Sequence, residues 1–279
     1  MNSRRNFAVS AGLLLAFLAC SRPAFATCGG APEIENGYRQ MYNLDFNTAH
    51  STFQGYEQSH PDDPLAHVSN AAAYLFAEFD RMHVLEMELF ADNSRFEKRQ
   101  KVPPDPATKA SFENELAASD AIAGRRLNQS PQDSEALFAQ ILANGLRGDY
   151  AALVEKRNLA SLSFMKTSRG KAKQLLSLDS HCYDAYLAVG VENYLLGINP
   201  APVRWVLHMT GAQTDKADGL TKLHLTADKG DYLAPFARLL LAVAAVRDKD
   251  PQTAKRILSG LAQEFPQNHL YAAQLARIH

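Results

Sequence analysis

The side chains with the most distinctive chemistry in this sequence are its histidines and cysteines, and few of them stand at a spacing that chemistry needs. His83 and Glu86 lie three apart on an expected helix, with Glu88 close by. That spacing puts an imidazole and a carboxylate on one helix face, where they could ligate a metal. Such a site needs a third ligand and a second motif, and the sequence offers neither. A solvated or salt-bridged face accounts for the same residues. His60 and His67 flank Pro61 and Pro64, in what reads as a turn between helices, where imidazoles are ordinarily surface polarity. His181 directly precedes Cys182, but adjacent residues on a helix point apart, so no thiolate is set beside an imidazole. HExxH, GxSxG, the phosphate-binding glycine loop and GxGxxG are missing from the sequence, which lowers the expectation of a hydrolase, kinase or dehydrogenase. No catalytic residue, cofactor or metal is expected.

The stretch from Asn193 to Lys216 is the most informative for binding. Asn193 and Tyr194 fall on an expected helix. Arg204 and Trp205, the single Trp, follow in a Pro-rich insertion that opens Gly197-Ile198-Asn199-Pro200-Ala201-Pro202. Arg and Trp dominate interface hot spots because each buries much area and offers directed donors. The plainer reading is that Trp205 seals the core under the insertion. Thr214 or Asp215 is expected to cap the next helix.

The N-terminus reads as a targeting segment. Arg4 and Arg5 precede an apolar run, Phe7 to Ala19, and then Ala24-Phe25-Ala26. A charged start, a short apolar stretch and an Ala-x-Ala site make a signal peptide, here 1–26, cleaved after Ala26. Ser3 to Phe7 resembles the twin-arginine motif. Leu18-Ala19-Cys20 resembles the end of a lipoprotein box, which would tether the protein through Cys20. Cleavage leaves Cys28 and Cys182. In an oxidising compartment they either pair or remain separate thiols, and nothing in the sequence brings them together. The chain carries formal charge -1, with three arginines and no acid in 1–26. The mildly acidic remainder gives no reason to expect nucleic acid and lacks a basic face for anionic lipid. No later segment reaches membrane-spanning length without charges.

Behind these residues stand helices. Strand signals are nearly absent, while Tyr183, Tyr186, Leu187, Val189, Gly190, Tyr194 and Leu195 show apolar residues three and four apart, the period of an amphipathic helix. A repeat is visible as well. Ala254, Leu258, Leu261 and Pro266 have the same spacing as Ala49, Phe53, Tyr56 and Pro61, and Ala242 and Gly37 each lie twelve residues before the first of the set. Tyr186-x2-Val189-Gly190-x3-Tyr194 reads as the first helix of a similar pair. Small residues let two antiparallel helices approach, large ones fill the seam, and Pro ends the second helix. These residues resemble the tetratricopeptide pattern, clearly in two units and partly over 118–133, 134–166 and 183–196. Tyr183 to Asn268 is similar to exported bacterial proteins of this repeat type.

The resemblance implies an all-α fold, an α-solenoid of about five to six antiparallel helix pairs. A Pro-rich, basic linker over 92–109 separates an N-terminal helical block, 31–91, from a C-terminal one, 110–279. The implied function is a periplasmic or envelope interaction module that binds a protein segment on its concave face. Two rivals remain: a ligand-binding protein or enzyme with a pocket under 197–216, and a lipoprotein held through Cys20.

Overall fold

The computed structural model describes residue 28 and residues 30–85, 102–197 and 215–278. The signal segment 1–26, Glu86 and Glu88, Arg204 and Trp205 lie outside the described residues. These form eleven α-helices, with no strand among them: α1 Pro32–Tyr42, α2 Phe46–Ser59, α3 Pro64–Arg81, α4 Pro106–Gln129, α5 Ser134–Asp149, α6 Asn158–Leu178, α7 Tyr186–Gly197, α8 Lys216–Lys229, α9 Ala234–Arg247, α10 Pro251–Glu264 and α11 His269–Arg277. The protein is therefore all-α, with helices packed as neighbouring pairs. No helix among the described residues is long and apolar enough to cross a membrane.

Helix starts follow from short polar side chains that accept from otherwise orphaned backbone N–H groups. Asp45, Asp63, Asp105, Asp133, Asp215, Asp250 and Asn268 each cap a helix this way. Proline at the first helical position needs no N–H partner. For this reason α4 begins at Pro106, inside the stretch expected to be linker up to Lys109. A second expectation also shifts. His83 is not on a helix, because α3 ends at Arg81 and His83 turns the chain at φ 54°. Over 134–166, a π-helical turn at Tyr150–Val154 separates α5 from α6.

One connection recurs. Residues 60–63, 130–133, 230–233 and 265–268 each join one helical pair to the next in four residues, and 179–182 does the same job through a 3-10 turn, Tyr183–Ala185, before α7. Three of them read X-Pro-x-Asp/Asn. In these the last residue's N–H donates to the carbonyl of the residue before Pro, at 3.0 Å for Asp63 to His60, 3.0 Å for Asp133 to Ser130 and 3.1 Å for Asn268 to Phe265. The helix before the turn also reaches forward: Tyr56 Oη donates to Asp63 at 2.9 Å, and the Arg126 guanidinium to both oxygens of Asp133 at 2.8 and 3.1 Å.

Within pairs the small residues sit at the seams. A Cβ on Gly37 would collide with the Phe53 ring, and one on Gly190 would lie 3.0 Å from the backbone nitrogen of Leu223. Ala49, Phe53, Ala242, Ala254, Leu258 and Leu261 are fully buried.

The first described helices meet the last ones. Tyr232, from the connection before α9, stacks on Tyr38 of α1 at 5.3 Å and lies 6.4 Å from Phe138 of α5. Its hydroxyl accepts from the N–H of Gly30 and Ala31, while its carbonyl accepts from Tyr42 Oη at 3.0 Å. Phe76 meets Phe236, Tyr42 meets Phe265, and Asn268 Nδ2 donates to the Tyr42 carbonyl at 2.8 Å. Most buried apolar residues, from Cys28 to Tyr271, form one core, and Tyr194, Leu223, Leu241 and Ala244 form a smaller second cluster. The first helices of successive pairs thus face each other across a filled interior.

Candidate functional site

Asn193 and Tyr194 lie on α7 and are 2% and 3% exposed, which leaves them too deep to present a binding face. Asn193 Nδ2 donates to Asp218 of α8 at 2.6 Å. The close approach is enforced from the other side, because a Cβ on Gly219 would come within 2.5 Å of the Tyr194 backbone nitrogen. Among the described residues neither Asn193 Oδ1 nor the Tyr194 hydroxyl has a hydrogen-bond partner, and burial raises the Tyr194 pKa. Next to them, Glu192 forms a buried ion pair with Arg169 of α6 at 3.0 Å. Asp215 caps α8, accepting from Ala217 and Asp218. Asn144 uses its amide on the Gln140 carbonyl of its own helix. The expected cluster of Asn193, Tyr194, Arg204 and Trp205 cannot be placed as a whole, since Arg204 and Trp205 lie outside the described residues. The repeat residues Gly37, Ala49, Phe53, Gly190, Ala254 and Leu258 act in packing; Pro61 and Pro266 occupy the connections, and Tyr186 opens α7.

Cys28 and Cys182 form a disulfide, with Cα atoms 5.1 Å apart and a sequence separation of 154. His181 and Cys182 sit in a connection, not on a helix, and Cys182 stands where Asp63, Asp133 and Asn268 stand in the other turns. Two residues on, Asp184 accepts from three consecutive backbone amides, Asp231, Tyr232 and Leu233, at 3.0–3.2 Å. Burial outweighs these donors and lifts its pKa to about 6.

A further polar cluster was not expected from the sequence. Glu57 of α2, His67 of α3 and Glu115 of α4 converge, half-buried, with one donor atom of each within 4.8 Å of the others. His67 Nδ1 is 2.7 Å from Glu115 Oε2 and 3.5 Å from Glu57 Oε1. His67 is thus a helix residue of α3, where the sequence suggested turn polarity. Asn70, one turn further along α3 and wholly buried, donates to Glu57 Oε1 at 3.2 Å and Glu115 Oε1 at 2.9 Å. Its Oδ1 lies 2.6 Å from His50 Nδ1, and the His50 ring rests on Tyr74. Among the described residues no Lys or Arg pairs with either carboxylate. Burial and the charge of Glu115 raise the pKa of Glu57; the bond to Glu115 raises that of His67. One sequence signal was there to be used: Asn70 interrupts an apolar, Ala-rich stretch of α3, and a polar side chain in such a place needs partners. Glu115 comes from 48 residues away, and no local pattern announces it.

No family model, no curated protein and no solved structure matches the chain.

Proposed function

We propose that the chain is an exported helical-repeat module of the tetratricopeptide type that binds a protein partner in the periplasm or cell envelope. The observation that carries this reading is the recurring four-residue connection between helix pairs, together with small-residue seams inside the pairs. Repeats of that kind generate extended surfaces suited to protein segments. The Cys28–Cys182 bond supports export, since disulfides persist in oxidising compartments. The inward face of the first helices is filled by Tyr38, Phe138 and Tyr232, so the binding surface in this proposal lies elsewhere on the solenoid. Arg204 and Trp205 remain its proposed anchors.

The test is affinity purification of the mature chain from its native envelope, followed by measured binding of whatever co-purifies. Arg204→Ala is expected to weaken that binding by roughly 1–3 kcal/mol while leaving the melting temperature unchanged. Unchanged binding with a large loss of stability would make the insertion a structural plug. A mature N-terminus at Thr27 is expected by mass spectrometry, and a lipidated Cys20 would replace the free module with a tethered one.

A further inference from the structure

We propose that Glu57, His67 and Glu115 form a three-ligand site for a first-row divalent transition ion such as Zn2+, with a remaining position open to solvent. The three side chains come from three successive helices, so the fold brings them together where sequence proximity does not. The donor set is two carboxylate oxygens and one imidazole nitrogen. That mixture suits a borderline ion such as Zn2+ better than Ca2+ or Mg2+, which prefer oxygen alone. Charge argues the same way. Two partly buried carboxylates have no Lys or Arg partner among the described residues, and a divalent cation would neutralise them.

Positioning residues are already in place around the three ligands. Asn70 is fully buried and spends its amide hydrogens on both carboxylates. His50 contacts the Asn70 carbonyl oxygen, which fixes the amide so that its NH2 faces the glutamates. Glu115 is therefore held by one oxygen while the other points at His67 Nδ1. Holding a ligating carboxylate from behind is how outer groups orient metal ligands. The 2.7 Å separation of His67 Nδ1 and Glu115 Oε2 is that of a hydrogen bond, with one proton between them. Around an ion at about 2.0–2.2 Å from each donor, those atoms would stand about 3.3 Å apart. A modest side-chain shift exchanges the proton for the ion, so metal and proton compete for one place. Asp63 and His50 are the other titratable groups close to the cluster.

The experiment is isothermal titration of the mature, disulfide-bonded, chelator-treated chain with Zn2+, Mn2+ and Ca2+ in turn. Binding of one Zn2+ per chain is expected, with Ca2+ much weaker. Proton release should accompany binding, and affinity should fall as the pH is lowered, because the ion and the proton compete for the same ligand atoms. His67→Ala and Glu115→Gln should each weaken binding by about tenfold or more, and Asn70→Ala by a smaller factor. His224→Ala, at an exposed imidazole of α8, should not change it. Circular dichroism of each variant guards against unfolding, and the pH arm, run on the unaltered protein, stands even if a variant fails to fold. Absence of a one-site Zn2+ isotherm, affinity indifferent to pH, or equal loss in His224→Ala would each overturn the proposal and leave the cluster a hydrogen-bonded ion pair.

Discussion

Asp184 holds the connection 230–233 by its two oxygens, which accept from three backbone amides. Its pKa in the fold, about 6, exceeds its ordinary carboxylate value. The native state therefore keeps a proton that the unfolded chain has already released. Stability from this group is fully present below about pH 4 and declines as pH rises to about 6, by roughly 2–3 kcal/mol. Asp184→Asn does not titrate and presents an NH2 where an acceptor is needed. Urea unfolding should show the variant less stable by about 1–3 kcal/mol at neutral pH, with the deficit growing towards acid. A deficit independent of pH would mean that Asp184 is not the titrating group. Gly219 offers a sharper steric test, because its hydrogen faces the backbone of Tyr194 and backbone cannot swing aside. Gly219→Ala should cost about 2–4 kcal/mol in chemical denaturation. Gly260→Ala, with nothing within 4 Å on α10, should instead add about 0.5–1 kcal/mol.

At the scale of helices and turns, much was legible because local physics decides it. Apolar residues three and four apart mark helices, and Pro61 and Pro266 mark connections. Gly37, Gly190 and Ala254 mark seams where a larger side chain would not fit. What failed locally did so for identifiable reasons. His83 lies one residue past the cap of α3, where side-chain spacing still reads as helical but the backbone has already turned. Lys109 reads as linker because three prolines precede it, yet the last of these starts a helix. The Glu57–His67–Glu115 cluster depends on tertiary packing of α3 against α2 and α4, which no periodicity encodes. The connections also differ in strength. Asp133 is both helix cap and partner of Arg126, whereas Asp45 only caps, in an exposed place at 3.3 Å. Asp133→Ala should therefore lower stability by about 2–3 kcal/mol and Asp45→Ala by about 1 kcal/mol or less. Equal losses would show that Arg126 adds nothing to the turn.

For the whole molecule, the joined first and last helices set the unfolding behaviour. Repeat arrays fray from their free terminal units, but here α1 is clasped by Tyr232, Phe265 and Asn268 and the first residues are bonded to Cys182. A single cooperative transition is expected by both circular dichroism and fluorescence. Cys28→Ser should lower stability by about 2–5 kcal/mol, since it frees a loop of sequence separation 154 in the unfolded chain. A reducing agent should bring the parent protein down to the variant and leave the variant unaffected. Two separated transitions in the oxidised parent would mean that these helices do not communicate.

The same clasp has a consequence for how the protein is born. A ribosome releases α1 and α2 first, and Phe53 and Phe76 can meet Tyr38 and Tyr42 early, yet the rest of their cover, Tyr232 and Phe265, lies beyond residue 230. The earliest helices keep part of their aromatic faces open until nearly all of the chain is synthesised. The amino-terminal helices can pair early but are not fully covered until α9 and α10 are present, and a holdase that shields the nascent amino-terminal hairpin would find its binding site there. Pulse-labelled chains should become protease-resistant only when α9 and α10 are complete. Truncation after residue 229 should leave the whole amino-terminal half sensitive, although it removes none of its own residues.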